Sequence, residues 1–187
     1  MDLNNLPLQL EEGFPFPQTQ IYLHHLLTYT KFEFSSEGEI TLFMDGVDIT
    51  TEITSVQVTD FVSQVSAISE VREKLVQYQR KMAEGLNVVL EGRDIGTVVF
   101  PNAAHKFFLV ADIHERAIRR KKEMEAKGEV VSLEKLTAEM LERDKKDSTR
   151  KHSPLKKAED AVEIDTTGIS IEEQVNRIVE IVNKTIK

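Results

Sequence analysis

Three short apolar runs in this chain each stop at a carboxylate. Val88-Val89-Leu90 stops at Glu91, Phe107 to Ala111 at Asp112, and Ala161 to Ile164 at Asp165. Each has strand length, and the second and third lead into segments with helical spacing. Short apolar strands alternating with helices predict an α/β layer built on parallel strands. Ligands bind such sheets beyond the carboxyl ends of the strands. Glu91-Gly92-Arg93-Asp94, Asp112 and Asp165 all fall there, which predicts one shared site.

The remaining chain divides around these runs. Pro7, Gly13, Pro15 and Pro17 interrupt a Leu/Phe-rich opening that has no clear period. From Tyr29 the segments TKFEF, EITLF and VDI alternate apolar and polar residues, and Asp45-Gly46 suits a two-residue turn with positive φ. A small antiparallel meander is expected. Two helices should follow, one presenting Val58, Phe61, Val62 and Val65, the other capped by Ser69 and presenting Val71, Leu75, Tyr78 and Met82. Gly85 ends the second, and a strand is expected over 87–90. Further on, a charged helix stops near Gly128, and Ser132 caps the next. Ser170 and Glu173 form a capping box for a last helix with Ile171, Val175, Ile178 and Val182 on one face.

Charge is unevenly spread. The net charge is −8, yet residues 114–157 hold 14 basic against 9 acidic side chains. A cationic segment on an acidic body points to a local anionic ligand rather than a nucleic-acid coat, and no aromatic residues interleave the basic ones. There is no cysteine, so disulfides and thiolate metal sites are excluded and a reducing compartment is favoured. No apolar run reaches membrane-spanning length and the first residues lack a signal-peptide pattern, so a cytoplasmic location is expected, with no membrane partner. The five histidines have no metal-ligand spacing, and Asp112 and Asp165 are read as strand-end turn residues.

The segments EGRDIGTVVFP, ERAIRR, ERDKKDSTR and DTTGISIEEQV occur in this order, with SQVSAISEVRE upstream after the meander. Together they resemble the bacterial cytidylate kinase family, from about Tyr29 to the C-terminus. The resemblance implies a nucleoside-monophosphate kinase fold with an inserted meander and a helical lid, acting as a monomer. It also implies phosphoryl transfer from ATP to CMP or dCMP with Mg²⁺. On this plan residues 1–85 hold a partial CMP-binding region, 86–112 core strands, 113–150 the lid and following helix, and 151–187 the last strand and helix.

The family also has a strand and phosphate loop, G-x-x-x-x-G-K-[ST], that this sequence lacks, since none of its eight glycines precedes a lysine. The expectation from sequence is a member without that segment and inactive alone. Its alternatives are a non-catalytic CMP-binding remnant, a piece of the longer enzyme and, less favoured, a nucleic-acid-binding module.

The same resemblance implies roles for individual residues. Cytosine presents an amino donor beside two acceptors, and a carboxylate with arginines complements that edge. Asp94, Arg72, Arg150 and Ser63 would surround the pyrimidine. Arg93 would hold the CMP phosphate, with Arg143 near phosphate or sugar, because guanidinium groups match phosphate bidentately. Asp147 would accept from the sugar hydroxyls. Arg143, Asp147 and Arg150 are spaced i, i+4, i+7, which places them on one helix face. Arg116, Arg119 and Arg120 lie in the lid segment as candidates for the phosphates of ATP, and the pattern does not choose among them.

Overall fold

The computed structural model describes residues 25–35, 41–126 and 128–185. They fall into two compact units, residues 1–60 and 61–187.

In the first unit, residues 25–29 are helical and lead into a meander of β1 (Phe32–Ser35), β2 (Thr41–Met44) and β3 (Val47–Asp48). Both pairings are antiparallel, with Phe32 opposite Met44 and Phe43 opposite Asp48. Asp45 and Gly46 take positive φ of 51° and 81°, the mirror-image turn that matches strand twist. The Asp45 carboxylate also accepts from the Lys31 amide at 2.8 Å, closing the base of the hairpin. The expected meander is therefore present. Helix α1 (Val56–Val65) starts in this unit and ends in the second.

The second unit is an α/β body. Helix α2 (Ser69–Met82) is followed by a five-residue π turn, Ile95–Val99. Then come β4 (Phe107–Val110), α3 (Ile113–Ala126), α4 (Leu133–Thr149), β5 (Val162–Asp165) and α5 (Ile171–Thr185). Strands β4 and β5 pair in parallel, Phe107 opposite Val162 and Val110 opposite Asp165. Helices α3 and α4 pack on each other. Among the described residues the buried apolar side chains are Val71, Val76, Val99, Ala117, Leu136 and Ile164, contributed by four helical segments and one strand.

Several helix boundaries follow the local chemistry. Ser132 accepts from the Lys135 amide and caps α4. Ser170 and Glu173 exchange side-chain-to-amide bonds at 3.2 and 2.7 Å, a complete capping box. Helix α3 ends in paired reverse bonds, Glu129 N to Met124 O and Gly128 N to Glu125 O, around Gly128 at φ +84°. That geometry needs a left-handed residue, which glycine supplies without strain.

Two expectations fail. Residues 87–90 form no strand: among the described residues they have no ladder partner, and Val89 is fully exposed. An apolar run specifies a willingness to be a strand, but a strand exists only when another pairs with it. Ser69 is not a cap. The helix is entered from Ile68, so Ser69 occupies its first turn and its hydroxyl donates to Glu73. The apolar face of α5 is partly open, with Ile171 79% and Val175 51% exposed.

Candidate active site

The site grows out of the bend that follows residues 87–90. Gly92 has no room for a side chain at ordinary distance, since a Cβ there would come within 3.0 Å of the Ile95 side chain. Arg93 and Asp94 follow, and the chain then enters the π turn. Its defining bonds reach back five residues, Val99 N to Asp94 O at 3.2 Å and Phe100 N to Ile95 O at 2.7 Å. Turns of this type are rare and concentrate at functional sites.

The two neighbours reach different partners. Asp94 is 2% exposed, and its carboxylate is held by both ends of the Arg72 guanidinium, which comes from α2. Nε reaches Oδ2 at 3.0 Å and Nη2 reaches Oδ1. Arg93 donates from Nε to Oδ2 of Asp147 on α4 at 2.9 Å. Asp147 is 3% exposed and lies within ionic range of two more guanidinium groups, Arg143 at 3.9 Å and Arg150 at 3.8 Å. One buried carboxylate thus gathers three arginines, and the cluster keeps a surplus of positive charge. Arg93 and Arg143 remain partly exposed and can receive an anion, whereas Arg150 is largely enclosed.

Arg150 has a second task. It is the capping residue of α4, where the chain leaves the helix, and its Nε donates to the Ser153 carbonyl at 2.6 Å. Ser153 itself has φ +51°. Beside Arg72 opens a cleft of about 360 Å³, lined among others by Ser69, Val76, Arg80, Val98 and His152. That volume is at the lower end of what small-molecule sites enclose.

The structure groups these candidates by ion pairing, which the sequence pattern does not specify. Arg72 meets Asp94, and Arg93, Arg143 and Arg150 meet Asp147, across separations of up to 54 residues. Ser63 lies on α1, but its side chain is outside the described residues. The lid candidates separate. Arg116 forms a bidentate pair with Asp144 of α4, which raises its pKa above the ordinary guanidinium value, chiefly through the hydrogen bond to that carboxylate. Arg119 donates to the Thr166 carbonyl at 2.6 Å and to Glu115, fastening α3 to the end of β5. Arg120 makes only a surface pair with Glu123 at 3.2 Å.

Asp112 and Asp165 behave as turn residues. Asp112 accepts from the His114 and Glu115 amides at the start of α3, and Asp165 accepts from the Thr167 amide. Arg80 was not singled out by sequence, although it donates to two carbonyls of the π turn. Its signal was the i, i+4, i+8 series Arg72, Val76, Arg80 along α2.

Comparison with known proteins adds an independent line. A family model described as cytidylate kinase matches residues 10–184. A cytidylate kinase of Geobacillus sp. (strain WCH70) is 50% identical over 159 residues, covering 85% of this chain and 70% of that protein. A cytidylate kinase of Streptococcus pneumoniae (strain Hungary19A-6) is 53% identical over 144 residues, covering 77% of this chain and 65% of its own length. The chain therefore spans about two thirds of the length of these relatives. With the family matched over nearly all of its length, this chain belongs to the cytidylate kinase family.

Proposed function

We propose that the protein serves phosphoryl transfer from ATP to CMP or dCMP, with the substrate held by the two ion-pair groups described above. The observation that carries this reading is their adjacency. Consecutive residues, Arg93 and Asp94, anchor a cationic cluster and a buried carboxylate–guanidinium pair. A nucleotide has this same division between a phosphate and a hydrogen-bonding base.

Each residue contributes by its chemistry. An ionised carboxylate has about four lone-pair sites, so Asp94 can accept from Arg72 and still receive cytosine's amino group. Arg72 and Arg150 supply donors for the acceptor atoms of the ring. Arg93 and Arg143 face outward enough to take the phosphate, and Asp147 orients both while offering an acceptor to the sugar. Phosphoryl transfer depends on positioning and on neutralising the charge of the transferring group, which such arginines supply. Among the lid residues Arg120 is the best candidate for ATP, because reaching a phosphate costs it only a surface pair. Arg116 and Arg119 would have to leave better-anchored partners.

Mg²⁺ would accompany ATP, as the family resemblance implies. Among the described residues no three His, Asp or Glu side chains are placed to hold a metal ion. Among them, too, no helix is long and apolar enough to cross a membrane.

The decisive test is Asp94→Asn, read as the ratio of CMP to UMP affinity for the 187-residue chain. Uracil carries a carbonyl where cytosine carries its amino group, so an ionised carboxylate repels it and an amide does not. The variant should weaken CMP binding by roughly tenfold or more, the scale of one charge-assisted hydrogen bond, and weaken UMP less. Equal losses for both nucleotides, with a lower melting temperature, would make Asp94 a structural residue and remove the reading.

A further inference from the structure

Helix α2 contacts the Asp94–Val99 segment at both ends, not only at the substrate-reading one. Arg72, Val76 and Arg80 lie four residues apart and share a face. Arg72 holds the carboxylate of Asp94, and Val76 is buried. Arg80 closes the far end: its Nε donates to Val99 O and its Nη2 to Val98 O, both at 2.8 Å. Terminal carbonyls of a helical turn have no partner within the turn, so these two would otherwise depend on water. Val99, between them and the interior, is 1% exposed.

We infer that Arg80 is a positioning residue for the Arg72–Asp94 pair. The π turn connects the two ends through Asp94 O, which accepts from the amides of Thr97, Val98 and Val99. Fixing Val98 and Val99 therefore fixes the backbone of Asp94, and with it the aim of the carboxylate. The planar fork of a guanidinium reaches two adjacent carbonyls from two nitrogens held in fixed geometry, whereas lysine would serve them from one ammonium on a flexible stem. The hydrogen bonds of Arg80 go to backbone oxygens of the π turn, so its route to the site described here runs through Asp94.

The consequence for specificity rests on the reading of Asp94 as the cytosine acceptor; the positioning itself does not. Arg80→Lys and Arg80→Met are the variants, the first keeping the charge and the second keeping most of the bulk. Hydrogen exchange of the Arg72 Nε–H, followed by NMR with the backbone amides of α5 as reference, reports the positioning without any nucleotide. Losing one or two such bonds should speed that exchange by about tenfold, more in Arg80→Met than in Arg80→Lys, while the α5 amides hold. The CMP:UMP affinity ratio should narrow in the same order. Unchanged Arg72 exchange, or exchange raised equally across α5, overturns the positioning role. If Asp94→Asn fails to move the ratio, the cytosine reading falls, and the Arg72 exchange still judges Arg80. If Asp94→Asn moves the ratio and neither Arg80 variant does, the specificity consequence is wrong.

Discussion

The bend at Arg93-Asp94 and the outer surface of α3 and α4 are built from the same residue types, arginine or lysine with aspartate or glutamate. On the helices the pairs are local: Arg120 with Glu123, Lys121 with Glu125, Lys135 with Glu139 and Lys146 with Glu142, all three or four residues apart and exposed. At the bend the partners come from different elements, and the carboxylates are almost wholly buried. Water solvates the first set whether or not its partners meet. At the bend it cannot replace a lost partner, so there each pair is a condition of folding as well as a feature of the site.

The largest effect should come from breaking the comparison at its buried end. Arg72→Ala leaves Asp94 enclosed without its bidentate partner, a situation that typically costs about 3–5 kcal/mol. Urea denaturation should show a fall of that order, or a chain that no longer folds cooperatively. A loss below about 1 kcal/mol, the range of exposed pairs, would mean that the pair is solvated after all.

Arg93→Ala should cost less, because Arg143 and Arg150 stay within ionic range of Asp147. About 1–3 kcal/mol is expected for the lost charged hydrogen bond, together with weaker binding of CMP than of cytidine, its phosphate-free counterpart. If CMP and cytidine weaken alike, Arg93 does not serve the phosphate.

A smaller effect tests the capping box of α5. The Ser170 amide and hydroxyl hold the Glu173 carboxyl below its ordinary value of 4.5, the amide contributing most. A carboxyl with a depressed folded pKa stabilises the fold above its unfolded pKa and loses that contribution as pH falls through the folded value. Glu173→Gln should therefore melt lower than the unaltered chain near neutral pH, and the two should converge as pH falls through the lowered folded value. A gap that persists in acid would assign the effect to packing. The smallest change belongs to Lys121→Ala, whose exposed pair with Glu125 should contribute less than about 0.5 kcal/mol in the same denaturation assay.

Local chemistry could be read from the chain with little help. The turn at Asp45-Gly46, the caps at Ser132 and Ser170, the stop at Gly128 and the turn roles of Asp112 and Asp165 all depend on bonds spanning a few residues. The motif pattern also singled out the arginines and aspartates of the candidate site, though not which of them pair, because family likeness carries information about distant positions that spacing does not.

Other features depended on groups far apart in the chain. Residues 87–90 have the composition of a strand and, among the described residues, no neighbour paired with them. Ile171 and Val175 have the period of a buried face and little to cover them. Arg116, Arg119 and Arg120 look alike in sequence, yet one is bound to Asp144, one to Thr166 and one to nothing beyond its own helix. Arg80 is an ordinary helix residue until the carbonyls of Val98 and Val99 arrive beside it. Hydrogen-bond partners within one turn are fixed by covalent connection, so residue order names them. Partners across the fold are chosen by which surfaces pack, and only the assembled chain brings a guanidinium to a carbonyl 19 residues away.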